Sequence, residues 1–116
     1  MKESVVRSKS FSFALRIIKL GDLLREQRAF ILGDQVVRSG TSIGANIVEA
    51  EAAISRKEFI AKMAIAYKEA RETTYWLALL KESEKIEERL ATSFLNDCEE
   101  LCKLLSSIIK SSKENF

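Results

Sequence analysis

Histidine and proline are both missing from this chain, and glycine occurs only four times in 116 residues. Without histidine, the commonest general base and the commonest metal ligand are gone together. Without proline, and with so little glycine, nothing forces long helices to break. No apolar run approaches the roughly 20 residues that cross a bilayer. The opening Met1-Lys2-Glu3-Ser4-Val5-Val6-Arg7 has no apolar block of the secretory kind. A cytoplasmic protein without a membrane span is therefore expected. The two cysteines, Cys98 and Cys102, are four apart, which suits neither a zinc ribbon nor a redox CxxC pair. On one side of a helix they serve as small buried hydrophobes. Glu49, Glu69 and Glu72 resemble the carboxylates of a diiron bundle, but that site needs Glu-x-x-His pairs. No P-loop, nucleophile elbow or dinucleotide fingerprint occurs either. The sequence thus offers no catalytic residue, no metal ligand set and no cofactor site, and an enzyme is not expected.

What the chain does contain is 47% hydrophobic and 31% charged residues, the balance of a folded globular protein, and its length suits one domain spanning 1–116. Apolar spacing marks four helical segments. The first runs from about Ser10 to Arg28, with Phe13, Ile17, Leu20 and Leu24 in one stripe. Gly33-Asp34 then reads as a turn followed by an N-cap. The second segment spans about Gln35 to Ala53, where Val36, Gly40, Ile43, Ile47 and Ala50 form the core stripe. Small residues at Ser39, Gly40, Gly44 and Ala45 would admit a close neighbouring backbone. The third opens on a capping box, Ser55-Arg56-Lys57-Glu58, and continues through Ile60, Met63, Tyr67, Ala70, Thr74 and Leu77 to about Leu80. The fourth follows the polar stretch Lys81–Lys85 and carries Leu90, Phe94, Cys98, Leu101, Leu105 and Ile108 to near Lys110. The tail from Ser111 to Phe116 is expected to fray. Short links between long amphipathic helices predict an all-α, antiparallel, up-down-up-down four-helix bundle rather than one extended coiled coil.

Two features exceed what a bare bundle needs. Leu95, Cys102 and Ile109 widen the apolar arc of the fourth helix, which reads either as a broad core face or as a subunit interface. In the second helix, Gln35, Arg38, Ser42, Asn46 and Glu49 repeat at three-four spacing as a polar stripe beside the apolar one. Together with Glu72 on the third helix, this stripe predicts a buried Arg–Glu pair that fixes register, with Ser42 and Asn46 completing its hydrogen bonds. Loss of one partner of such a pair costs about 3–5 kcal/mol, so Glu72→Ala is expected to lower the unfolding midpoint markedly.

The stretch Gln35-Val36-Val37-Arg38-Ser39-Gly40-Thr41-Ser42-Ile43-Gly44-Ala45-Asn46-Ile47-Val48-Glu49 closely resembles the signature of the 23S rRNA intervening-sequence proteins, also known as four helix bundle proteins. That signature reads like Q-x-x-R-S-x-x-S-I-x-A-N-I-x-E, and every fixed letter is present. Ser55, Phe59, Ala66, Glu72 and Leu77 extend the likeness, and Arg7-Ser8-x-x-Phe11 is similar to the family's opening. Glu69-Ala70 departs from it, where relatives often carry small residues. The resemblance implies a bundle that assembles into a ring, a homopentamer, without enzymatic activity. Genes of this kind often lie in insertions within bacterial large ribosomal RNA genes. More distant relatives are accessory proteins of diversity-generating retroelements, thought to bind reverse transcriptase and nucleic acid.

Charge distribution bears on the partner. Net charge is only +2, yet residues 1–33 hold seven basic and three acidic side chains, and residues 55–82 hold six and four. Residues 34–54 hold one and three, and residues 83–116 five and seven. The basic first and third helices nominate Arg16, Lys19, Arg25, Arg28, Arg56, Lys57 and Lys62 as an RNA- or DNA-binding set, repeated by symmetry in a ring. No RNP motif, KH loop or zinc finger accompanies them, and scattered helical cations also serve as an ordinary solvated face. The competing expectation is an oligomeric scaffold for a protein partner such as a reverse transcriptase or ribosome-associated factor. In that case Tyr75 and Trp76 act as anchors, unless they only plug one end of the core.

Overall fold

The computed structural model describes residues 2–114, with side chains from residue 5 onward. Four helices follow one another: α1 Lys2–Glu26, α2 Phe30–Glu51, α3 Arg56–Glu82 and α4 Glu88–Glu114. Each packs along its successor, and α4 closes back on α1 across the thinnest seam, in a body 47 × 21 × 19 Å. Cross-helix contacts run in opposite numerical directions at every seam. Ile17 meets Gly40 and Ser10 meets Gly44; Ser39 meets Thr73 and Glu49 meets Lys62. Thr74 meets Cys98 and Arg56 meets Ser112, while Lys9 meets Glu100 and Arg16 meets Ser93. All four neighbouring pairs are therefore antiparallel, and the chain is the expected four-helix bundle.

The core follows the stripes in the sequence. Phe13, Ile17, Leu20 and Leu24 of α1 are buried, as are Val36, Gly40, Ile43, Ile47 and Ala50 of α2. On α3 the buried line is Met63, Ala66, Ala70, Thr73, Leu77 and Leu80, so Ile60, Tyr67 and Thr74 sit at its margin. On α4, Phe94, Cys98, Leu101, Leu105 and Ile108 are buried. Cys102 is also buried, and Leu95 and Ile109 pack against the core half-covered, so the broad arc of α4 belongs to the core face.

The helix ends differ from expectation in instructive ways. α1 begins well before Ser10, because Val6 and Ser10 continue its buried line, Ser10 Oγ donating to Arg7 O at 2.9 Å. No turn lies at Gly33-Asp34. The chain turns at 27–29, where Ala29 N–H donates to Leu24 O at 2.8 Å and Arg28 N–H to Arg25 O at 2.9 Å, with Arg28 at φ 63°. This is a Schellman closure with arginine in the left-handed position glycine usually takes, and it recurs at Glu84 (φ 60°) after α3. Gly33 is instead a helical residue whose missing Cβ leaves room for Leu24. The Ser55 cap is present, its hydroxyl accepting from Glu58 N–H at 3.0 Å, but Glu58 reaches back to Ile54 N–H rather than to Ser55. Ser111–Glu114 do not fray; they complete α4, and Ser112 O accepts from Arg56 Nη1 at 3.2 Å. The remainder of the expected frayed tail, Asn115 and Phe116, lies outside the described residues.

Candidate nucleic-acid interface

Seven basic residues of the first and third helices were nominated as a nucleic-acid-binding set, and the bundle distributes them over several surfaces. Arg16 clamps the α1–α4 seam: it donates to Asp97 and to Ser93 Oγ at 3.0 Å, and its guanidinium lies 4.1 Å from the centroid of the Phe94 ring. Lys19 borders the same seam beside Leu20, Leu23 and Leu90. Arg25 pairs with Asp34 at 3.8 Å beside the α1–α2 turn that Arg28 caps. Lys62 donates to Glu49 at 2.8 Å across the α2–α3 seam, and that bond holds its ammonium above the usual lysine pKa. Lys57 is exposed at the start of α3, and Arg56 points to the C-terminal end of α4. Three of the seven, Arg16, Arg25 and Lys62, are held by carboxylates, each at a different seam or turn of the bundle.

The polar stripe of α2 is also placed differently. Arg38 sits at the surface with its side chain 47% exposed, where it meets Gln35 Oε1 at 3.1 Å, Glu69 at 3.2 Å and Glu72. Glu72 also accepts from Trp76 Nε1 at 2.9 Å. The Arg–Glu pair across α2 and α3 therefore exists, with Arg38 half-exposed, and Glu69 is the second of its two acids. Ser42 and Asn46 take no part in it. Ser42 Oγ donates to Arg38 O at 2.7 Å and Asn46 Nδ2 to Ser42 O at 2.9 Å, each bonding its own helix one turn back. A solvent-facing pair of this kind contributes up to about 1 kcal/mol. Trp76 is half-buried against the core margin and Tyr75 stands out at 59% exposure, their rings edge to face at 5.3 Å. Neither plugs an end of the bundle.

A different cluster of cations does share one surface. The α3–α4 seam opens into two adjoining depressions, about 460 and 670 Å³, with Tyr67, Ser106 and Lys110 common to both. Arg71 borders one side and Lys103, Lys110 and Lys113 the other, with Glu99 the one acid in the lining. Arg56, bonded to Ser112 O, stands at the same end as Lys113. Lys103 to Lys113 spans ten helical residues, about 15 Å of groove. None of these four lining cations takes part in an ion pair among the described residues. The floor includes Tyr67 and Ile109, an aromatic and an aliphatic side chain between Arg71 of α3 and the lysines of α4. Cations around a partly covered aromatic ring have the charge and the planar surface that complement phosphates and bases.

The block totals concealed this groove. Residues 83–100 hold two basic and six acidic side chains, whereas residues 101–114 hold three and one, so α4 changes sign along its length. A half-helix count, with Lys103 and Lys110 seven apart, carries the signal. That Arg71 faces the same seam needs the register of α3 against α4.

The chain matches the 23S rRNA-intervening sequence protein family over residues 2–107. It is similar to a crystal structure from Bacteroides thetaiotaomicron, described as a protein of unknown function from the S23 ribosomal protein family. The two share 54% identity, with 95% of this chain and 99% of that chain covered, and a TM-score of 0.92. No curated protein matches it.

Proposed function

Because the chain belongs to the 23S rRNA-intervening sequence protein family, we propose that it is a non-enzymatic, cytoplasmic RNA-binding accessory protein that works as a homo-oligomeric ring, with a homopentamer the expected form. The observation that carries this reading is the α3–α4 groove, where Arg71, Lys103, Lys110 and Lys113 flank Tyr67 with Glu99 as the single acidic neighbour. A groove between two helices, with cations on both banks and an aromatic floor, suits a single RNA strand. The phosphates follow the banks and bases reach the ring. Four phosphate contacts per protomer correspond to a slope of about −3 in log affinity against log salt for a single strand. Rotational repetition of the groove adds avidity without new contacts.

The test is fluorescence anisotropy with a labelled single-stranded RNA, titrated at several salt concentrations. The wild-type protein is expected to bind with that slope. The R71Q/K103Q/K110Q/K113Q variant is expected to bind at least tenfold more weakly with a slope near zero. Equal binding by the variant removes the groove from the function. Absence of salt-dependent binding by the wild type removes RNA and favours the scaffold reading, for which the exposed ring of Tyr75 beside Trp76 is the candidate anchor for a protein partner.

A further inference from the structure

The two thiols of the chain lie one helical turn apart on α4, in different surroundings. Cys98 is fully buried, its Sγ donating to Ala70 O at 3.2 Å and standing 3.5 Å from Thr74 Oγ1. Cys102 keeps 8% of its surface and lines the larger depression of the α3–α4 groove, about 670 Å³. Arg71, Lys103 and Lys110 border that depression with Tyr67, and Glu99 is the acid among them. The neighbouring Cys98 thiol, Thr74 and the charge of Arg71 bring the Cys102 thiol down to about 7, against burial and Glu99, which push it up. An electropositive, partly open setting of this kind favours the thiolate, the nucleophilic form.

The two cysteines are poor disulfide partners for each other. Helix residues four apart hold their Cβ atoms about 5–6 Å apart, whereas a disulfide needs about 3.5–4.5 Å. Closing that bond would distort α4 within the core seam. The chain has no third cysteine, so a disulfide at Cys102 takes its second sulfur from outside. The depression has the volume of a small-molecule site, and its cations favour a molecule that carries carboxylates. We propose that Cys102 is a modification site, onto which a small carboxylate-bearing disulfide exchanges to leave a mixed disulfide in the groove. The Cys102 thiolate attacks one sulfur of the disulfide. The old S–S bond breaks as the new one forms, and the leaving half departs as a thiolate with the electron pair. Cys102 is oxidised and the departing half reduced, so no further oxidant is needed. Lys103, Lys110 and Arg71 draw in the carboxylates, while Cys98 stays sealed in the core. The adduct fills the depression and sets a negative charge among its cations. This site stands whether or not the groove takes RNA.

The folded protein is treated with two probes, the dianionic dithiobis-nitrobenzoate and the uncharged dithiodipyridine, and followed by absorbance and intact mass. One adduct per chain is expected, placed at Cys102 by peptide mapping, absent from Cys102→Ser and retained in Cys98→Ser. Lys103→Gln with Lys110→Gln is expected to slow the dianionic probe about fivefold and the uncharged one less than about twofold, because only the first is steered by charge. An adduct mapped to Cys98, or no adduct before the protein unfolds, overturns the site. Equal effects of the lysine changes on both probes overturn its selection for carboxylates. Mapping on the wild type keeps the outcome readable even where a cysteine variant folds poorly.

Discussion

The α1–α2 layer and the α3–α4 layer are built from the same element and end with opposite surfaces. All four glycines lie in α1 and α2, and each marks a close approach between those two helices: Gly21 to Val37, Gly33 to Leu24, Gly40 to Ile17 and Gly44 to Ser10. Glycine there costs helix propensity, about 1 kcal/mol each, and in return the helices close on one another. The outer face they leave exposes Phe11, Leu15, Ile18 and Val48, and α2 carries no charge between Ser39 and Val48. Between α3 and α4 no glycine occurs. Tyr67, Cys102 and Ile109 line the seam, and a groove bordered by arginine and lysine remains outside. Removing Cβ atoms from one seam and keeping side chains in the other thus leaves exposed apolar side chains outside one layer and a groove bordered by cations outside the other.

That contrast breaks severely at Gly40, deep in the core. A Cβ there would stand 2.9 Å from both Ile17 Cγ1 and Ile17 Cγ2, which are fully buried. Gly40→Val is expected to cost about 2–3 kcal/mol through overpacking, read as a fall in the urea midpoint, whereas Ala45→Val on the outer face stays near neutral. On the other layer, Lys103→Gln with Lys110→Gln is expected to flatten the salt slope of RNA binding by about 1.4, with the urea midpoint unchanged. Glu72→Ala now has a smaller expected effect than a buried pair would give, at most about 1 kcal/mol, because Arg38 is half-exposed and keeps Glu69. A loss of 3 kcal/mol or more in chemical denaturation would restore the buried-pair account.

Two finer changes probe the ends of the two layers. Arg28→Gly relieves a left-handed arginine and is expected to stabilise by about 1 kcal/mol, seen as a higher midpoint; Glu84→Gly should do the same at the α3–α4 turn. The smallest effect concerns Cys98. The neighbouring thiol of Cys102 and burial raise its pKa above the 9.0 of a free thiol. The unfolded chain therefore loses that proton first, and stability contributed by Cys98 is intact below pH 9 and declines as pH rises beyond it. The midpoint of Cys98→Ala, lower at every pH, should fall less steeply between pH 9 and 10.

How much of this was legible in the sequence depends on the distance over which each feature is decided. Helix number, the α1 and α2 core stripes and the Ser55 cap are set by neighbours within a turn or two, and the 3.6-residue period displays them directly. The α1–α2 turn was misplaced because Gly33 looks like punctuation when its partner Leu24 is unseen. The stripe Gln35, Arg38, Ser42, Asn46 and Glu49 was visible as a pattern, but periodicity does not tell a seam at the surface from one in the core. Likewise the seven expected cations shared a sign and not a face. Which helices touch, at what height, and therefore that Arg16 belongs to Asp97 while Arg71 belongs with Lys103 and Lys110, depends on side chains distant in sequence packing in one register. The sequence by itself determined four amphipathic helices and a bundle, because burying a stripe is a local demand. Only the tertiary structure decided which charges are neutralised and which stand together, because that is a matter of pairing across seams.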